Sequence, residues 1–199
     1  DMMMHTMERY FSKDDDMETT DAIAEAILRT CMKEGPLALA NPTDYTCRAN
    51  IMWAGTLAHN DLTGCGTTGD WATHNIEHEL SGLFDVSHGA GLAAVWGSWA
   101  RYTRNENLPR FARFAHNVMG IDTTNMSDME ASETGIKAME QFFRSIGMPT
   151  DIHTLVGKDI TDAEIEEMAQ KCTNGDTTTI GGLKILHAAD IVKIYQMAK

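Results

Sequence analysis

Apolar residues recur at helical spacing along most of this chain. Ile23, Ile27, Leu28 and Cys31 share one face of a helix predicted over 20–34, and Gly35-Pro36 is the expected stop. The opening stretch, DMMMHTMERYF, has few strand markers and suits a helix over 1–11. A longer helix over 43–60 runs through Tyr45, Met52, Trp53 and Leu57, and another starts near Trp71. HGAGLAAVWGSWARYTR, at 88–104, reads as a buried helix with small residues at close-packing points. Two capping boxes open further helices. Ser127-x-x-Glu130 precedes Ile136, Met139, Phe143 and Ile146, with Gly147 and Pro149 beyond them; Thr161-x-x-Glu164 precedes Ile165, Met168, Ala169 and Cys172. A last helix carries Ile191, Ile194, Tyr195 and Ala198. Strand patterning is confined to TTTI at 177–180, and KDDDME at 13–18 reads as a solvated loop. The pattern predicts an all-α domain of about eight or nine helices.

Composition narrows the function. The chain has 199 residues, 43% of them apolar, enough for a sizeable core. A net charge of −13 repels phosphate backbones, so nucleic acid and anionic membranes are excluded as partners. No apolar run reaches membrane length, and no basic-then-apolar leader opens the chain. Cys31, Cys47, Cys65 and Cys172 form no C-x-x-C pair; they read as free thiols of a reducing cytoplasm. The fourteen methionines read as core filler, and the four tryptophans are expected to pack. The chain starts at Asp1, inside a helix-like pattern, as a piece of something longer would.

Gly64, Gly66 and Gly69 fit G-x-G-x-x-G, but no strand leads in and no βαβ unit follows, so the expected structure is a tight interhelical loop. Histidines carry the sharper signal, in WATHNIEHELSGLFDVSHG at 71–89. His74-x-x-Glu77-His78 fits the H-x-x-E-H pattern of a zinc peptidase, with two imidazoles on one helical face and Glu77 as base. The second arrangement starts from Asp1 and His5, an i, i+4 pair, and adds His74 and His88, which lie fourteen residues apart. One carboxylate and three imidazoles suit Fe(II) or Zn(II), with room for a substrate oxygen. On the residues alone these two readings weigh equally, beside a third in which the helices only pack. His59, His116, His153 and His187 are scattered and read as surface or core residues.

GDWATHNIEHELSGLFDVSHGAGLA resembles the signature of the iron-containing (group III) alcohol dehydrogenases, in particular the butanol dehydrogenase branch. DMMMHTMERYF resembles that family's first metal segment, and NLPRFARFAHNVMG the helix that follows the signature. FFRSIGMPT and TIGGLKILHAADIVKIYQMA fit its carboxy-terminal part, so the resemblance spans the chain. It implies the helical, dehydroquinate synthase-like carboxy-terminal domain over 1–199, with Asp1, His5, His74 and His88 as metal ligands. It gives His78 a role near the reacting carbon and Glu77 none. It further implies Fe(II), with Zn(II) possible, and NAD or NADP acting on a small alcohol or aldehyde in a cytoplasmic homodimer. Family members carry the nucleotide on an amino-terminal α/β domain with a GGGS-type motif. Nothing here matches that motif, so these residues alone are expected to be inactive in hydride transfer.

Overall fold

Ten α-helices carry the chain in the computed structural model, which describes all residues from Asp1 to Lys199. They are α1 (Met2–Tyr10), α2 (Glu18–Ala40), α3 (Tyr45–His59), α4 (Ala72–Phe84), α5 (His88–Thr103), α6 (Leu108–Asn117), α7 (Asp128–Ser145), α8 (Ile152–Val156), α9 (Asp162–Cys172) and α10 (Ala188–Ala198). Short 3-10 turns occupy Leu62–Gly64 and Arg104–Glu106. The all-α expectation holds, and TTTI contributes only one isolated bridge, Ile180 to Leu186. No helix is long and apolar enough to cross a membrane.

Both capping boxes form. The Ser127 and Thr161 hydroxyls accept from the backbone N–H of Glu130 and Glu164, whose carboxylates reach back to the cap N–H groups. α8 is absent from the sequence reading. It has five residues, too few for a periodicity, and is held by Asp151 at its start and left-handed Gly157 (φ 77°) at its end.

Gly35-Pro36 does not stop α2, which continues to Ala40. A proline removes one helical N–H, a loss a packed helix can absorb. α2 is packed on α3, through Ile27 and Cys31 against Ala54 and Ala58. The KDDDME loop is also less solvated than expected. Asp14 accepts from the Thr68 N–H at 2.9 Å, and its carbonyl accepts from Arg110 at 2.6 Å.

The main core surrounds α5, buried along most of its length. Trp96 and Trp99 are fully buried there, against Phe11, Phe111 and Phe114. Phe11 and Phe111 stack with centroids 4.3 Å apart, so the segment after α1 is pinned to α6. The Tyr195 hydroxyl donates to the Ile76 carbonyl at 2.6 Å and ties α10 to α4. Not every tryptophan packs as expected: Trp53 is 63% exposed on α3, beside exposed Met52. All four cysteines are free.

Candidate metal centre

α4 starts abruptly. Trp71 precedes it in the left-handed region (φ 67°) and supplies no capping side chain. The orphan N–H groups of its first turn are met from elsewhere. Asp70 accepts from the Ala72 N–H at 2.9 Å through Oδ1, and from Gly182 and Leu183 at 3.0 and 2.8 Å through Oδ2. Burial pushes the Asp70 carboxyl up to about 6, against these three N–H donors. Glu8, from α1, meets the next two donors, with Oε1 accepting from Thr73 at 2.6 Å and His74 at 3.2 Å. The Asp70 N–H donates to the Glu8 carbonyl at 2.7 Å. α1 and α4 are thereby locked together, which places Asp1 and His5 beside His74.

Asp1 Oδ1 lies 3.3 Å from His74 Nε2, 3.3 Å from His88 Nε2 and 3.5 Å from His5 Nε2. The other ring nitrogens of His74 and His88 are committed. His74 Nδ1 meets Glu8 Oε2, and His88 Nδ1 meets Glu77 Oε2. Both carboxylates are fully buried. A carboxylate only accepts, so each Nδ1 carries the hydrogen and each Nε2 presents its lone pair. Two lone pairs and a carboxylate oxygen therefore converge on one point. Such a set repels itself unless a cation joins it, and imidazole with carboxylate suits a divalent transition metal. The residues fit the metal their pattern implies. Burial first, then the neighbouring His74, His59 and Arg9, lowers His5 to about 4, so its ring is neutral near pH 7.

The structure brings all five sequence-selected residues to one place. His78 is exposed one turn along α4 from His74, its ring stacked on His88 with centroids 5.5 Å apart. Glu77 departs from the expectation of an ordinary helix residue. Its carboxylate is sealed between His88 and the Ser81 hydroxyl. His59 departs too. It is not a scattered histidine, for its Nε2 lies 3.2 Å from Asp1 Oδ2 and its ring 4.3 Å from His5. Glu8 escaped the sequence reading, although Asp1-x-x-x-His5-x-x-Glu8 puts it one further turn along the same face.

The model of the Fe-containing alcohol dehydrogenase family's C-terminal region matches residues 1–199. The chain belongs to the Fe-containing alcohol dehydrogenase family. It is 39% identical over 198 residues to NADH-dependent butanol dehydrogenase A of Clostridium acetobutylicum, covering 98% of this chain and 50% of that protein. To the NADPH-dependent aldehyde reductase YqhD of Escherichia coli it is 36% identical, covering 95% and 50%. The solved structure of YqhD without substrate or cofactor superimposes with a TM-score of 0.92 at 33% identity, covering all of this chain and 51% of that one. That of a Thermotoga maritima butanol dehydrogenase gives 0.90 at 30% identity, covering 100% and 50%. The chain thus spans about half the length of the Fe-containing alcohol dehydrogenases it matches. Family membership favours the dehydrogenase set over the H-x-x-E-H peptidase, whose base Glu77 is in any case locked onto His88.

Proposed function

We propose that these residues form the metal-binding half of a dehydrogenase that moves hydride between NAD or NADP and a small primary alcohol or its aldehyde. Asp1, His5, His74 and His88 hold one divalent ion, Fe(II) or Zn(II). The observation that carries this reading is the convergence of the His74 and His88 lone pairs on Asp1 Oδ1, each ring fixed from behind by a buried glutamate. Bound there, the ion supplies Lewis acidity toward an alcohol or carbonyl oxygen.

The chain's own residues do the rest. Glu8 and Glu77 hold the two imidazoles in the tautomer that binds metal, and raise their basicity. Asp1 lowers the charge of the filled site relative to an all-histidine set. His78, exposed and stacked on His88, is placed to pass a proton between the substrate oxygen and solvent. The family resemblance puts the nicotinamide on the amino-terminal half of the longer relatives, and this chain spans about half of their length, so these 199 residues alone are expected to bind metal without turnover.

The test pairs metal content with activity. Metal-stripped protein is reloaded with Fe(II) or Zn(II), and uptake is compared in parent, His74→Ala and His88→Ala. Tight uptake in the parent that weakens in both variants supports the ligand set. Butanal reduction by NADPH or NADH, assayed for this chain and for one that includes the cofactor half, is expected only in the second.

A further inference from the structure

The Asp1 carboxylate has a second oxygen, and that oxygen also faces an imidazole. His59 Nε2 lies 3.2 Å from Asp1 Oδ2. The His59 Nδ1 is 2.7 Å from the Gly55 carbonyl, one turn back on α3. A carbonyl only accepts, so Nδ1 carries a hydrogen, and Nε2 is the ring atom turned to the carboxylate, where it can offer its lone pair to a cation. This repeats, on the other side of Asp1, the logic that fixes His74 and His88.

His5 stands between the two sides. Its ring centroid is 4.3 Å from that of His59 and 4.6 Å from that of His74. Its Nδ1 is buried without a partner, so no hydrogen bond holds the ring to one side by that atom. Donor atoms of Asp1, His74 and His88 lie within 4.8 Å of one another, and so do those of Asp1, His5 and His59.

We propose that Asp1 bridges two cation sites, the second made by Asp1 Oδ2, His5 and His59. It rests on the reading above for the first site. With one ion bound, His5 completes the four-donor set; a second ion draws His5 toward His59. Two imidazoles and one carboxylate select a divalent transition metal such as Zn(II) or Co(II) over Mg(II) or Ca(II). The side chains of His59 and Asp1 are 42% and 40% exposed, so the second ion enters from solvent without opening the fold.

The test is stoichiometry. Metal-stripped chain is dialysed against excess Zn(II), and bound metal is counted by elemental analysis, with calorimetry for the steps. The parent is expected to hold two ions per chain. His59→Ala holds one, and His59→Cys, which restores a ligand, holds two again. His88→Ala weakens the first site and leaves the His59-dependent ion. His59 ends α3 on the surface, so its substitution leaves the circular dichroism unchanged. A parent that holds one ion, kept in His59→Ala and weakened in His88→Ala, overturns the second site and leaves the first standing; His59 is then only a hydrogen-bond partner of Asp1. Two ions in His59→Ala also overturn it. One ion in the parent, lost in His59→Ala and kept in His88→Ala, would instead overturn the first.

Discussion

Glu8 and His74 lie 66 residues apart in sequence and share one buried carboxylate–imidazole contact, made while the same carboxylate caps α4. One side chain therefore starts the helix and sets the tautomer of the histidine on it. The two jobs separate by substitution. Glu8→Ala leaves two buried N–H groups unpaired and is expected to cost about 3 kcal/mol in urea unfolding of the metal-free chain. Glu8→Gln keeps one acceptor, so it costs less stability, but it loses the charge behind His74. Its affinity for Co(II), read from the visible spectrum, is expected to fall about 10- to 100-fold. Equal affinity in Glu8→Gln and parent would show that Glu8 only caps.

Gly91 makes room for the matching contact on α5. It lies one turn after His88, on the same face. A methyl group there would sit 2.5 Å from Glu77 Oε1 and 2.7 Å from its Cγ. Glu77 is fully buried and cannot swing into water. Gly91→Ala is therefore expected to cost roughly 1–3 kcal/mol by overpacking, although alanine is the better helix former. The displaced carboxylate must also release His88, so metal affinity drops in the same variant. Gly82, on the exposed face of α4 with nothing within 4 Å, is the control. Gly82→Ala should gain stability and leave metal binding unchanged.

Helix content was legible in the sequence because it is a local property. Periodicity and capping boxes placed α7, α9 and α10 to within a few residues. The misses lie where local signals mislead or run out. α2 continues through Gly35-Pro36 to Ala40, and α8 is too short to show a period. At the site, the donors sit in recognisable i, i+4 and i, i+14 spacings. What fixes them does not. Glu77 looked like a peptidase base or an idle helix residue, since only the fold shows that its partner is His88. His59 looked scattered because its partner, Asp1, is 58 residues away.

The metal-free chain should lose stability in acid through His5. Its ring titrates near 6.5 in the unfolded chain and at about 4 when folded, lowered by burial and then by His74, His59 and Arg9. The unfolded state therefore binds the proton first. Its contribution to stability is full above pH 6.5 and is lost as pH falls from 6.5 to about 4. Urea midpoints measured at half-unit steps from pH 7.5 to 4, with chelator present, test this. His5→Asn carries no titrating ring, so the difference between parent and variant should slope through that window and flatten above it. A constant difference would show that His5 does not titrate on unfolding.

His78 and His88 stack on each other and are expected to do different work. His88 Nε2 faces Asp1 Oδ1 with its Nδ1 sealed against Glu77, whereas His78 is exposed and belongs to neither contact. His88→Ala should lower metal affinity by at least tenfold, since it removes a ligand and also leaves the buried Glu77 carboxylate with the Ser81 hydroxyl alone. For that second reason His88→Ala also loses thermal stability without metal. His78→Ala should bind metal as the parent does and melt at the same temperature. Its defect belongs to turnover: in a chain that includes the cofactor half, the rate should fall roughly 100-fold, the low end for a lost proton-transfer group. Metal content, melting temperature and rate, measured on both variants, assign each histidine. A His78→Ala protein that loses its metal would return the pair His74 and His78, with Glu77 as base, to contention.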